Sequence, residues 1–273
     1  MRRLTPYLLI APSLIFLGVL FFVPLVETVA LAFQGGADNF ARMRDDLNFN
    51  DAVTDTFAII VIVVLLQLLL ALVMALMLRH VQVGRGLVLW IWSIPLGVSD
   101  LAAGLVWLAI LTDRGYLNTV LAKLGVISGP ASWLTYETPA TLLAAIVVAE
   151  LWRATAIVLV ILVAGLELIP KEFGEAADVF GATPWQRFRR VTLPLLKPSI
   201  QTALILRTVL AFEMFAVVLS LGGRNFPVLM SEAFNWQYAQ QDYGVAAAYA
   251  VVVMAVSLAA TAFYLVLLRS PAR

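Results

Sequence analysis

The sequence predicts an all-α, polytopic membrane protein with six transmembrane helices. Three observations support this fold class. First, 62% of the 273 residues are hydrophobic and only 13% are charged, and the mean hydropathy of +0.96 is too high for a soluble globular domain. Second, six apolar stretches reach the length of about 20 residues that a spanning helix needs. Third, basic residues concentrate in alternate loops, as they do in multi-span proteins. We therefore expect a single transmembrane domain over residues 1–273.

The six apolar stretches divide the chain evenly. They cover roughly residues 7–33, 52–78, 87–111, 139–166, 199–221 and 245–268. The first follows Arg2 and Arg3, and its apolar run is much longer than the roughly 7 to 15 residues of a signal-peptide core. We interpret it as an uncleaved first helix. Six spans place both termini on the same side of the membrane.

The basic residues indicate which side that is. With the N-terminus inside, eleven Lys and Arg residues fall on the inner side and five on the outer side. The inner set is Arg2, Arg3, Arg79, Arg85, Lys171, Arg187, Arg189, Arg190, Lys197, Arg269 and Arg273. Because basic residues favour the cytoplasmic side, we expect both termini and the polar loop 167–198 in the cytoplasm and the protein in the cell (cytoplasmic) membrane.

Composition also argues against several functions. The chain has no cysteine and a single histidine, His80, so we expect no metal site. A net charge of +1 argues against nucleic acid as a partner. The sequence contains no Gly-x-x-x-x-Gly-Lys-[Ser/Thr] stretch to cradle phosphates. We therefore expect no catalytic residue, and no ATP hydrolysis, in this chain.

The third and fourth spans contain ionisable residues, which a membrane interior rarely tolerates. Pro95 and Gly97 predict a kink, and Asp100 and Trp107 follow at a spacing of seven, on one helical face. Glu150 and Arg153 lie three apart and are therefore neighbours on the fourth span. An ionisable residue at mid-membrane costs about 2.5–3.5 kcal/mol, which favours pairing or a wet cavity.

We expect Glu150 and Arg153 to form a structural ion pair, with substrate contact as the alternative. For Asp100 and Trp107, substrate contact and a structural role, either a helix-to-helix hydrogen bond or a pair with Arg207, are equally open.

The fifth span has a carboxylate between aromatic residues: Phe212, Glu213 and Phe215. Carboxylate oxygens accept hydrogen bonds from hydroxyls, and ring faces cover the apolar side of a sugar. These residues are therefore candidates for the substrate path. The alternatives are a helix-to-helix hydrogen bond or a pair between Glu213 and Arg207.

The polar loop 167–198 predicts two short helices joined by a glycine. Lys171 to Phe180 has apolar residues on one helical face, and Gly181 ends that helix. Thr183 and Gln186 form a capping-box pattern that starts the second helix, and Leu193-Pro194 disfavours its continuation. Such a unit is either a rigid contact surface for another protein or an amphipathic loop on the membrane surface.

The same loop resembles a known motif. It is similar to the EAA loop of permease subunits in bacterial binding-protein-dependent ABC importers, carbohydrate-importer type, although Phe180 replaces an Asp usual in that family. The matching residues are Glu175, Ala176, Ala177, Gly181, Ala182, Phe188, Val191, Leu193, Pro194 and Pro198. The resemblance implies a type I importer permease fold in which this loop is the coupling helix, with Glu175, Ala176, Ala177, Asp178, Gly181, Ala182 and Phe188 contacting an ATPase.

The resemblance also implies a set of partners. These are two ATP-binding cassette subunits, which hold the ATP and Mg, a second permease as a heterodimer partner, an extracytoplasmic substrate-binding protein, and the lipid bilayer. The implied function is import of a sugar or a related polyol or sugar phosphate. Because the EAA loop is shared more widely, another small solute such as an oxoanion, polyamine or metal chelate is the alternative. A stand-alone channel or secondary transporter is a third possibility.

Overall fold

Helices form every regular element that the computed structural model describes, over residues 5–79, 81, 83–135 and 137–268. Within these residues, five helical stretches are long and apolar enough to cross a membrane, and a bent pair of helices supplies the sixth. The predicted all-α, six-span architecture is confirmed. His80 and the basic residues at both termini lie outside the described residues.

The first span contains a widened turn. Helix α1 covers Thr5–Leu17, a π-helical turn covers Gly18–Phe22, and α2 covers Val23–Ala32. The π turn directly precedes Val23-Pro24. Because a proline ring clashes with the carbonyl four residues earlier, the i→i+5 turn accommodates Pro24 without ending the helix.

Two long helices form the centre of the bundle. After the short α3 (Asp38–Arg44), helix α4 covers Phe49–Leu78 and packs against α8, which covers Pro139–Glu167. More than half of the most apolar stretch of α8, 61%, is buried inside the protein. Its neighbours therefore fix the position of the polar residues that it carries.

The third span is broken, whereas the sequence predicted one kinked helix over 87–111. Helix α5 covers Arg85–Ser93, a 3-10 turn covers Ile94–Gly97, and α6 covers Asp100–Leu111. The stretch Asp100–Lys123, which begins with α6, is bent by 99° from Arg85–Gly97. Val98 and Ser99 are extended, and the Ser99 hydroxyl accepts a hydrogen bond from the Ala102 N–H. The Ser99 cap starts a new helix, so the change of direction exceeds a proline kink.

A single asparagine organises the connection from α6 to α8, which contains α7 (Tyr116–Lys123). The buried Asn118 amide nitrogen donates to the carbonyls of Asp113 and Ala131, at 3.0 and 2.8 Å. Its oxygen accepts from the Ala131 N–H at 3.3 Å and from Trp133 Nε1 at 3.0 Å. The Asn118 side chain therefore links the start of this connection to residues 131–133 through hydrogen bonds.

The helix after the polar loop runs through Pro194, contrary to the expectation that Leu193-Pro194 would end it. Helix α9 covers Lys171–Val179, α10 covers Pro184–Arg187, a π turn covers Phe188–Thr192, and α11 covers Leu193–Phe212. The Leu193 N–H donates to the Phe188 carbonyl five residues back. The wide turn accommodates Pro194 in the same way as Pro24.

The fifth span also ends earlier than the predicted 221. Helix α11 ends at Phe212, and α12 (Ala216–Gly222) starts after an interruption at 213–215. Helix α13 covers Leu229–Tyr238, and the last span, α14, covers Tyr243–Leu267. Helix α14 packs against α2, α11 and α13.

Candidate functional site

The polar loop forms a two-helix unit with defined internal contacts. The predicted capping box is confirmed: the Gln186 N–H donates to Thr183 Oγ1 at 3.3 Å, and the Thr183 N–H donates to Gln186 Oε1 at 2.8 Å. Gly181 adopts φ +72°, a left-handed conformation that favours glycine. Arg187 Nη1 donates to both carboxylate oxygens of Asp178, at 3.0 and 2.9 Å. These contacts hold α9 and α10 in one arrangement.

The seven predicted coupling residues lie on and around this unit. Glu175, Ala176, Asp178 and Gly181 are exposed, while Ala177, Ala182 and Phe188 are half-buried. Two large apolar side chains on the unit are almost fully exposed, Val179 at 85% and Phe180 at 87%. A cavity of 620 Å³ lies behind the unit, and Glu175, Asp178 and Phe188 are among its lining residues.

A charge network lies inside the bundle, where α4, α6, α8 and α11 meet. Glu150 is completely buried, and its carboxylate accepts from Arg153 Nε and Nη2, each at 3.0 Å. The structure therefore brings the predicted pair together. Arg153 Nη1 also reaches Asp100 Oδ1, at 2.7 Å. This contact joins the start of α6 to α8.

Arg207 and Gln67 complete the network. Arg207, 1% exposed, donates through Nη2 to Glu150 Oε2 at 2.9 Å and through Nε to Gln67 Oε1. Gln67 Nε2 in turn donates to the Glu150 backbone carbonyl at 2.8 Å. The four charged members sum to zero, so the interior charges compensate one another.

An aromatic pair adjoins the exposed edge of this network. The rings of Trp107 and Trp152 meet edge to face, with centroids 6.2 Å apart. Trp152 immediately precedes Arg153 on α8, and Trp107 is on α6 with Asp100. The Asp100 side chain is 46% exposed. Asp100 thus pairs with Arg153 on α8, and Trp107, two turns further along α6, contacts the neighbour of Arg153 in sequence.

The structure does not bring the side chains of Phe212, Glu213 and Phe215 together in one site. Phe212 is 3% exposed and packs in the core against Phe57, with ring centroids 6.0 Å apart. Phe215 stacks on Phe234, with centroids 5.3 Å apart. Glu213 is exposed at the end of α11 and has no ion pair or hydrogen bond with any described residue. Arg207, its alternative partner, pairs with Glu150 instead.

Sequence reasoning missed the roles of Gln67 and Arg207. A partial signal was available: Arg153 and Arg207 are the two basic residues within the predicted spans, and charges inside a membrane protein are usually paired. The same spans contain five acids, Glu27, Asp55, Asp100, Glu150 and Glu213. Charge balance therefore could not select Glu150 as the shared partner of both arginines.

A further buried carboxylate lies at the end of the bundle opposite the polar loop. Glu232 on α13 is 4% exposed and accepts from the side-chain amides of Asn48 and Asn235. Burial, followed by the nearby Asp46 carboxylate, raises the pKa of Glu232 above its ordinary value. Asp46 itself accepts from Trp236 Nε1 at 2.6 Å and from the Tyr249 hydroxyl at 2.8 Å.

Comparison with known proteins agrees with this architecture. The family model described as "Binding-protein-dependent transport system inner membrane component" matches residues 67–272. The trehalose/maltose transport system permease protein MalF of Thermococcus litoralis is 32% identical, over 95% of this chain and 92% of that protein. The sulfoquinovosyl glycerol transport system permease protein SmoG of Agrobacterium fabrum is also 32% identical, over 98% of this chain and 91% of that protein.

A solved structure shares the fold. A chain from a bacterial ABC transporter involved in the import of the acidic polysaccharide alginate superposes with a TM-score of 0.86, at 22% identity, over 98% of this chain and 96% of that chain. The fold is that of a type I ABC importer permease, a transmembrane transport subunit. The chain belongs to the family of binding-protein-dependent transport system inner membrane components.

Proposed function

We propose that this permease forms, with a second permease in a heterodimer, the translocation path for a sugar or a related polyol or sugar phosphate. An extracytoplasmic binding protein delivers the solute, and two separate ATP-binding cassette subunits, with their ATP and Mg, supply the energy. The names of the relatives support the substrate class, since they include trehalose/maltose and sulfoquinovosyl glycerol transport. This chain contributes no catalytic group.

The observation that carries the proposal is the exposed two-helix unit. Val179 and Phe180 present large apolar side chains on a unit held by the capping box and the Asp178–Arg187 pair. Exposed apolar surface of this kind is typical of a protein contact. We assign the contact to an ATPase, with Glu175, Ala176, Ala177, Asp178, Gly181, Ala182 and Phe188 at or beside the interface.

The basic residues support the orientation of this unit. Arg79, Lys171, Arg187, Arg189 and Arg190 all lie at the end of the bundle where α4 and α8 finish. The positive-inside tendency places that end in the cytoplasm, where ATP is present. Both termini are then cytoplasmic as well.

For the substrate path, the geometry favours Asp100 and Trp107 over the group around Glu213. Asp100 is accessible and pairs with Arg153, and Trp107 on the same helix meets Trp152 edge to face. A carboxylate and aromatic rings are the groups that suit a polyhydroxylated ring. Phe212 is in the core, and Phe215 is stacked on Phe234, so the two rings do not form one open surface with the Glu213 carboxylate. Glu213 remains a separate candidate.

Energy transfer requires two conformations of the path. ATP binding closes the ATPase pair and moves the two-helix unit, and this movement shifts the permeases from inward to outward opening. ATP has this effect only because its affinity differs between the two states. Helix α10 continues through the π turn into α11. A movement of the two-helix unit is therefore transmitted to Arg207 along one continuous helix.

Crosslinking tests the assignment. The chain has no native cysteine, so Glu175→Cys and Phe180→Cys are single-cysteine variants without further changes. Both should crosslink to the ATPase subunit of a transport-competent assembly. Leu47→Cys is the matched control, because Leu47 is 96% exposed at the opposite end of the bundle. Labelling of Glu175→Cys from the outside of intact cells would refute the orientation and the coupling role together.

A further inference from the structure

A basic cleft lies where α4 and α8 finish and α5 begins. It encloses 290 Å³, room for about ten water molecules at the roughly 30 Å³ that each occupies in the liquid. Its lining residues are Ala75, Arg79, Arg85, Val163, Leu166, Glu167, Ile169 and Lys171. Three cations and one carboxylate give this cleft a net charge of +2.

Several donors in the cleft have no acceptor. Arg85 pairs with Glu167 through Nη2 at 2.5 Å, but its buried Nε has no hydrogen-bond partner within the described residues. The side chains of Arg79 and Lys171, both exposed, form no ion pair or hydrogen bond with any described residue. A buried guanidinium N–H is stabilised by an acceptor, and the net positive charge of the cleft favours an anionic acceptor over a neutral one.

The start of α5 adds to the positive potential. Gly84 is its N-cap and provides no side-chain acceptor for the first-turn N–H groups. Arg85 is the first residue of this nine-residue helix. The positive end of the helix dipole therefore lies beside the three cations.

We propose that the cleft binds a phosphate group. A phosphate offers several acceptor oxygens at one centre, which suits the fork of Arg85 together with the point charge of Lys171. A second carboxylate would satisfy fewer donors. The cleft lies at the ends of the spanning helices α4 and α8, the level of the lipid headgroups, so the phosphodiester of an anionic phospholipid is the natural source.

This site goes beyond the coupling role proposed above and does not depend on it. A bound phosphate connects Arg79, which follows α4, to Lys171, the first residue of α9. Lipid bound here would thus hold the two-helix unit against the end of α4.

Native mass spectrometry of the purified full chain tests the site, with phosphatidylglycerol and phosphatidylcholine as probes. The variant is Arg79→Gln with Lys171→Gln, and both residues are exposed, so the fold should survive. The control, Arg189→Gln with Arg190→Gln, removes the same charge from exposed positions outside the cleft. Two basic contacts, each worth about fivefold, predict a loss of about 25-fold in phosphatidylglycerol binding for the cleft variant alone. Thermal unfolding of both variants should match that of the native chain.

A second arm separates the sources of phosphate. ³¹P NMR line broadening of inorganic phosphate is measured on the same three proteins. Selective loss of phosphatidylglycerol binding supports the site with lipid as its source, and selective loss of phosphate broadening supports it with a soluble source. Equal behaviour of the cleft and control variants toward both probes overturns the proposal.

Discussion

Arg207 Nη2 lies 2.9 Å from Glu150 Oε2, and both side chains are almost completely buried. The pair joins α11, which continues from the two-helix unit, to α8 at the centre of the bundle. This buried pair is the most solvent-protected contact of the network, and the Arg153–Asp100 pair is more exposed.

Neutralising Glu150 should destabilise the bundle strongly. Glu150→Gln leaves Arg207 and Arg153 without their shared carboxylate, and removing one partner of a buried pair costs about 3–5 kcal/mol. Chemical denaturation of the protein in mixed micelles measures the loss. Glu137→Gln, an exposed loop position, is the control. Adding Arg207→Met to Glu150→Gln should recover part of the stability, and failure of Glu150→Gln to differ from the control would contradict the network.

Neutralising Asp100 should affect transport more than stability. Asp100 is half-exposed, and Arg153 keeps its two hydrogen bonds to Glu150, so Asp100→Asn should cost little stability. It removes a charged hydrogen-bonding group worth about 1.5–3 kcal/mol. If Asp100 contacts the proposed sugar substrate, the KM should rise about tenfold or more, with little change in the melting temperature. Glu213→Gln, measured in the same vesicles, is the comparison. Unchanged KM in Asp100→Asn would remove Asp100 from the path.

A close helix contact makes Gly165 sensitive to substitution. An added Cβ would lie 2.2 Å from Ser199 Oγ, between α8 and α11. Gly165→Ala should therefore cost about 1–3 kcal/mol of stability through overpacking. Gly129→Ala is the control, because nothing lies within 4 Å of its Cβ position. The Ser199 Cβ would lie 2.5 Å from the added atom as well, so the double variant Gly165→Ala with Ser199→Gly should regain part of the stability. A fully stable Gly165→Ala would show that the helices do not approach so closely.

Glu232 should make stability depend on pH. Its folded pKa is raised by burial and by Asp46, so the folded state binds more protons than the unfolded state between the ordinary value of 4.5 and the raised value. Stability from this group is therefore present below 4.5 and is lost as the pH rises through the raised pKa. Glu232→Gln should be more stable than the native chain at pH 7 and should flatten the profile between pH 4.5 and 7. If the stability of Glu232→Gln depends on pH in the same way as that of the native chain, Glu232 is not the source of the pH dependence.

Loss of Asn118 should loosen the connection between α6 and α8. Asn118→Ala removes all four hydrogen bonds that its amide makes, each worth about 1 kcal/mol. We expect faster hydrogen exchange over residues 112–135 and stronger quenching of Trp133 fluorescence, without loss of the spanning helices. Asn225→Ala, at an exposed position, should change neither. Unaltered exchange in Asn118→Ala would contradict its organising role.

Local patterns in the sequence predicted the elements better than their connections. The Thr183–Gln186 capping box and the helix from Lys171 were predictable because their signals lie within a few residues. The 99° break after Pro95 was not, since it depends on Ser99 starting a new helix whose first residue reaches Arg153. The Glu150–Arg207 pair depends on how α8 and α11 pack. No spacing along the chain encodes that relationship.

The two π turns have a practical consequence for mapping this protein. Each adds one residue to a helix that otherwise advances about 100° per residue, so a wheel drawn with a uniform step from Pro184 to Phe212 is rotated by that amount beyond Thr192. Surfaces assigned to α11 by counting from Gln186 would be displaced toward a neighbouring helix. Spin labels or cysteine pairs on α11 should therefore be phased from Leu193, and those on α2 from Val23.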